Sequence, residues 1–213
     1  MKKVSLLPAR DQVAEILRRD IFTGELKKGQ ELNQENIAEK LGTSRMPVRE
    51  AFQILEREGI LTIHKRRAVV EGLTTEDIVD HLKIRAMLEG EAAARATIKQ
   101  ENIEDIKIAL KDTEKAAKSN DLFHYVSSNE IFHKTIWAAS GSSRLETFLN
   151  YLWEGLPPHL PMLLPKQIEK SISEHQDIVD AICIGTPEEA RSIMTKHINR
   201  SVEDFVQHQQ YLD

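Results

Sequence analysis

The chain has 213 residues, of which 40% are hydrophobic and 30% charged, with a net charge of −5 and one cysteine. That length fits one large domain or two small ones, and no apolar run reaches the roughly 18 residues of a membrane span. Asp11 and Glu15 arrive before any segment of signal-peptide length, so a cytoplasmic protein without internal disulfides is expected.

A net negative chain is a poor match for nucleic acid, but the charge is unevenly spread. Residues 1–70 carry 14 Lys+Arg against 10 Asp+Glu, a net of +4, and the remainder carries 15 against 24, a net of −9. The asymmetry suits a small basic module for a polyanion joined to an acidic module with another task.

In chain order, a first helix is expected from Pro8 to about Phe22, because proline suits a helix start and Val13, Ile16, Leu17 and Ile21 recur at helical spacing. Gly24 and Gly29 bracket a turn. A short helix from Asn33 to Leu41 ends at Gly42, with Ile37, Ala38 and Leu41 as its buried stripe. The next helix opens with Ser44 as N-cap, runs through Val48, Phe52 and Leu55, and stops at Gly59. Arg45 and Arg49 lie one turn apart and so share a face. They project from the N-terminal half of the helix, the part of a recognition helix that reaches base edges in the major groove. A planar guanidinium can donate twice to guanine or to a phosphate. Then Ile60-Leu61-Thr62-Ile63 and Ala68-Val69-Val70 read as two strands joined by the basic tip His64-Lys65-Arg66-Arg67. The prediction is a winged helix-turn-helix. Arg57 lies beyond the groove-reading end, and Glu50 is expected to make a structural contact.

From Leu73 onward the periodicity is helical almost throughout, with segments at about 75–98, 101–118, 121–139, 142–155, 166–184 and 187–210 and a proline-rich break from Pro157 to Pro165. Thr74 and Asp77 have capping-box spacing. The fold class is therefore mainly α: a DNA-binding domain over 1–72 and an all-α bundle of about six helices over 73–213. Cys183, among Ile178, Val179, Ile182 and Ile184, reads as a buried inert thiol.

The run Gly42-Thr43-Ser44-Arg45-Met46-Pro47-Val48-Arg49-Glu50-Ala51, continued by Leu55-Glu56-Arg57-Glu58-Gly59-Ile60-Leu61, resembles the GntR family of bacterial transcription regulators. The resemblance implies operator contacts from Ser44, Arg45 and Arg49, and wing contacts from Lys65, Arg66 and Arg67. Many members have glycine where Arg67 stands, so the wing's turn is open. Arg45 as a solvated surface charge or one paired with a glutamate on its own helix, and Lys65–Arg67 as an ordinary charged turn, are the plainer alternatives.

The acidic half holds seven of the eight histidines, and three of them interrupt apolar stripes. His133 shares a helix face with Val126, Asn129 and Ile136. His175 interrupts Ile168, Ile172, Ile178/Val179 and Ile182, and His197 interrupts Ala190, Ile193/Met194 and Phe205. One such residue is most often a hydrogen-bonded core histidine; three imidazoles with one amide oxygen suit zinc, nickel or manganese. This half resembles the FCD effector domain of one large GntR subfamily, which implies that Asn129, His133, His175 and His197 bind a metal. His81, His124, His159 and His208 read as surface or ordinary structural residues.

Neutral ligands leave the ion's +2 uncompensated, so an anion is expected at an open position. Arg85, on the stripe Ile78, Leu82, Leu88 and Ala92, either binds a small carboxylate effector or pairs with an internal glutamate. The expected protein is a homodimer, symmetric about two half-sites roughly one helical turn apart, whose operator affinity an effector controls by population shift. Two alternatives compete: a purely structural metal, or a metal-dependent hydrolase. Against hydrolysis, Glu130 and Glu174, the nearest candidate bases, each adjoin a proposed ligand and so point about 100° away from it.

Overall fold

The computed structural model describes residues 8–65, 67–119, 121–154 and 167–209. Contacts divide the chain into two units, Met1–Thr74 and Thr75–Asp213.

The first unit contains α1 (Ala9–Phe22), β1 (Glu31–Asn33), α2 (Gln34–Lys40), α3 (Arg45–Arg57), β2 (Leu61–His64) and β3 (Arg67–Val70). Its core joins Val13, Ala14 and Leu17 of α1 to Val48, Phe52 and Leu55 of α3. That set repeats at the i, i+3, i+4, i+7 spacing that makes a helix amphipathic. The turn between α2 and α3 is set by Gly42, whose φ of +63° permits a Schellman closure. Thr43 N–H donates to Ala38 O at 2.9 Å and Gly42 N–H to Glu39 O at 3.2 Å. Asn33 caps α2, its side chain accepting from Glu35 N at 2.8 Å.

Two features of the sheet differ from the sequence reading. Its strand order is β1-β3-β2, antiparallel throughout, and β1 is not among the expected elements: it ends on Asn33, where the sequence predicts the start of a helix. A three-residue strand is too short for alternation to show, and its existence depends on pairing Leu32 with Ala68. The basic tip is also shorter than expected. His64 pairs with Arg67 across the hairpin, so Arg67 opens β3 rather than standing in the turn. Lys65 takes the left-handed conformation, φ +59°, that a two-residue hairpin turn needs; no glycine at 67 is required. Arg66 lies outside the described residues.

The second unit contains α4 (Thr75–Lys99), α5 (Ile103–Lys118), α6 (Leu122–Ala139), α7 (Ser143–Glu154), α8 (Gln167–Ile184) and α9 (Pro187–Gln209). The expected ends at 155, 166 and 210, and the Pro157–Pro165 break, lie outside the described residues. The bundle core is built from Ala86, Ala93, Phe132, Ile136, Ile178 and Met194, among others. Helix α4 lies close along α9: a Cβ added at Gly90 would fall 2.4 Å from Thr195 Oγ1 and 3.1 Å from Arg191 O. Cys183 is half-buried rather than buried, because the apolar stripe of α8 ends at Ile182 and Ile184 points outward. Burial nonetheless pushes its thiol pKa up, which keeps it unreactive.

Candidate DNA-reading surface and candidate metal centre

At the start of α3, Ser44 has the extended backbone of an N-cap, but its side chain makes no capping bond. Its hydroxyl is therefore not committed to the helix. Arg45 and Arg49 are exposed, while Val48, Ala51, Phe52 and Leu55 of the same helix are wholly buried. Arg45 lies 3.9 Å from Glu35, across the turn on α2, rather than pairing on its own helix. An exposed pair at that separation is weak. Arg67 reaches Glu31 at 2.8 Å, with both side chains more than half exposed. Glu50 lies 4.0 Å from Arg10, and Arg57 donates Nε to Gln53 O at 3.2 Å. One arginine of this unit is consumed by the fold instead: buried Arg18 grips Glu58 through Nε and Nη2, at 3.1 and 2.8 Å, and Glu15 through Nη1 at 2.6 Å. This ties α1 to the end of α3.

In the bundle, α6, α8 and α9 bring His133, His175 and His197 together. All three are buried, and their ligand atoms lie within 4.8 Å of one another. The rings of His133 stand 5.4 Å from those of both partners, and His175 is 4.8 Å from His197. Asn129 is half-buried one turn before His133 on α6, where helical spacing gives it the same face.

Two carboxylates that the sequence reading did not assign hold these rings. Glu89 of α4 is fully buried and accepts from His133 Nδ1 at 2.6 Å, Trp137 Nε1 at 3.0 Å and Arg85 Nε at 2.5 Å. Burial alone would raise its pKa, but Arg85 and then His133 outweigh that and hold it well below the usual carboxylate range. Glu174 of α8 accepts from His197 Nδ1 at 2.6 Å and from Arg200 Nη2 at 2.8 Å. Burial works against its charge as well, and the His197 and Arg200 hydrogen bonds bring its pKa below normal. An ionised carboxylate only accepts, so each Nδ1 carries a hydrogen, and in the neutral ring that arrangement leaves the lone pair on Nε2. Carboxylates commonly orient metal-binding histidines in this way.

The local sequence held one signal for Glu89: it lies four residues after Arg85 on the same partly apolar face. For Glu174 the expected divergence from His175 is real, and it is what allows the carboxylate to turn toward α9 and meet His197.

His175 differs from its neighbours. Both of its ring nitrogens are buried without a hydrogen-bond partner, while Phe132 stacks on the ring at 4.3 Å. Burial, and then the neighbouring His197 and His133, drive its pKa far below normal. Burial also lowers His197, to about 4, against the opposing pull of Glu174. These imidazoles stay neutral at pH 7, the form in which histidine binds metal. A buried polar group without a partner costs about 1–3 kcal/mol, and an ion at the cluster would give one of the two nitrogens a partner. The donor set therefore fits a divalent transition metal, and the cluster is able to hold one.

Arg85 takes the internal pairing foreseen as the alternative to effector binding, through Nε, and its guanidinium lies 4.1 Å over the Trp153 ring. Outside the cluster, His81 is half-buried and within 2.7 Å of Leu152 O, an ordinary structural role, and His124 is exposed. His159 and the side chain of His208 lie outside the described residues.

Comparison with known proteins fits both units. Residues 9–70 match the bacterial regulatory proteins of the gntR family, and residues 80–200 match the FCD domain. A "Probable D-xylose utilization operon transcriptional repressor" of Paenarthrobacter nicotinovorans is 28% identical over 201 residues, covering 92% of this chain and 88% of that protein. The gluconate operon transcriptional repressor of Bacillus subtilis is 31% identical over 150 residues, covering 69% and 60%. Among solved structures, E. coli McbR/YncC shares the fold with a TM-score of 0.71 at 22% identity, covering 97% of this chain and all of that one. Among the described residues no helix is long and apolar enough to cross a membrane. The family and these relatives are regulators rather than enzymes. With a winged helix-turn-helix in one unit and a histidine-lined bundle in the other, this chain belongs to the GntR family, FCD subfamily, and is a DNA-binding transcriptional regulator.

Proposed function

We propose that this regulator is a repressor that binds its operator as a homodimer, and that a small carboxylate at a metal site in the bundle controls its affinity. The single observation that carries the sensor reading is His175: a buried imidazole with neither nitrogen satisfied, beside two histidines whose Nε2 lone pairs are left available by carboxylates.

In this reading His133, His175 and His197 hold the ion, with Asn129 assigned as fourth ligand from its place one turn before His133. The ion, when bound, supplies a Lewis-acid centre for an anionic oxygen. Charge supports an anion there. The four ligands are neutral, Glu89 is matched by Arg85, and Glu174 is matched by Arg200. Nothing in these shells offsets a +2 ion. Glu89 fixes Arg85 through Nε, and the Nη groups at its tip are assigned to the effector's carboxylate.

At the head, Ser44, Arg45 and Arg49 are assigned to the operator's major groove, and Lys65, Arg66 and Arg67 to the wing, Arg66 from sequence alone. The Arg67–Glu31 pair is exposed and exchanges readily for a phosphate contact. A homodimer follows from the two-fold symmetry that such heads need on one face of DNA, and the repressor assignment from the relatives' names. Acid binding favours one packing of the bundle, and operator affinity changes with it.

The test compares metal-free, zinc-loaded and zinc-plus-acid protein on an operator selected from a randomised duplex pool. A change of roughly 5–150-fold between the last two is expected, the usual range of allosteric coupling. Equal affinity with every small acid tried would leave only a structural metal.

A further inference from the structure

Trp153 sits at the last turn of α7, beside the histidine cluster, and has no role in the scheme above. It is 8% exposed. Its ring centroid is 5.4 Å from that of His133 and 5.6 Å from that of Trp137, and it lies beneath Arg85 at 4.1 Å. Its Nε1–H has no hydrogen-bond partner. Among the described residues, the buried side-chain polar atoms without a partner belong to Trp153 and His175 alone, and both residues pack against His133. The fold satisfies the other indole nearby: Trp137 Nε1 donates to Glu89. An ordinary core tryptophan finds an acceptor or keeps its N–H near water. Two orphaned groups packed against one histidine point to partners bound at this cluster.

We infer that the Trp153 Nε1–H is a specificity-determining donor for a second oxygen of the effector. The effector is then a small hydroxy- or dicarboxylic acid, and not a simple monocarboxylate. This rests on the carboxylate reading and deepens it. One carboxylate belongs to the metal and Arg85 end. The second acceptor, a hydroxyl or carboxylate oxygen, accepts from the indole. Arg85 lies 4.1 Å over the ring that carries this N–H, and one compact ligand is assigned to both donors. The energetic reason is the asymmetry of buried hydrogen bonds: an acid lacking the second oxygen leaves the indole N–H unpaired, whereas a plain apolar pocket could not distinguish the two acids so well.

The experiment uses full-length zinc-loaded protein carrying 15N-labelled tryptophan, titrated with propionate, lactate and malonate. The chain has two tryptophans, so two indole N–H signals are expected. Lactate or malonate should shift one of them strongly while the Glu89-bonded indole stays nearly fixed, and propionate should move neither comparably. By calorimetry, wild type should prefer lactate or malonate over propionate by about tenfold, and Trp153→Phe, which keeps the ring and loses the donor, should abolish the preference. If the acids bind but neither indole signal moves, or the preference survives in Trp153→Phe, this inference is overturned and the carboxylate reading stands. If none of the three acids binds, both fall. Should Trp153→Phe fold poorly, the wild-type spectra still decide.

Discussion

The two units treat charge in opposite ways. The winged helix keeps the cations proposed to meet DNA on the outside, where Arg45 has only a 3.9 Å approach to Glu35 and Arg67 an exposed pair with Glu31. The bundle draws its charges inward, with Glu89 wholly buried among three donors and Arg200 held by Glu174 and Asp204. Under the proposed function the difference reflects the partner. A polyanion approaching from solvent needs cations that can trade weak partners for phosphates and base edges without repacking. A small ligand enclosed by protein needs donors fixed in advance, because in a low-dielectric interior a misplaced charge is costly.

The sharpest break of this comparison is His175→Ala. It removes a proposed ligand from a buried cluster while leaving the surface untouched. Zinc affinity measured by competition with a chelator should fall by more than the 10–100-fold typical of an outer partner, with the fold retained by circular dichroism. Unchanged affinity would show that the cluster is merely core.

Glu89→Gln comes next. The amide can still meet Arg85 but no longer holds a negative charge against His133, so zinc affinity should drop about 10–100-fold. Because Arg85 loses its buried counter-charge, melting temperature should fall too. A change in melting temperature with zinc affinity intact would demote Glu89 to a structural residue.

On the head, Arg45→Ala and Arg49→Ala should each weaken operator binding by roughly 5–150-fold, the equivalent of about 1–3 kcal/mol for a base contact. Both residues are exposed, so melting temperature should hardly move. If instead non-specific DNA weakens equally, the two arginines touch phosphate rather than bases.

The smallest effect is expected from Arg67→Gln, which should weaken all duplexes about alike and lower the salt slope by about one. A loss confined to the operator would place Arg67 in a groove instead.

Much of this architecture can be read along the chain. The helix that carries Arg45 and Arg49 is marked by Gly42, Ser44 and the Val48-Phe52-Leu55 stripe, and the six bundle helices by their periodicity and breaks. The three histidines stand out because a polar residue on an apolar stripe contradicts its own surroundings. By contrast, β1 and the two-residue wing turn were not legible, since both exist only through pairing with β3. Cys183 misled as to depth because a stripe in sequence does not show where a helix leaves the core.

What local sequence determined by itself is which face each helix buries and which residues violate that face, because helical spacing is a property of near neighbours. Only the tertiary structure decided that Glu89 meets His133 across 44 positions, that Glu174 meets His197 across 23, and that the indole of Trp153 is left unpaired beside them. Such contacts depend on how separate helices pack, and no local pattern encodes the partner a buried proton finds.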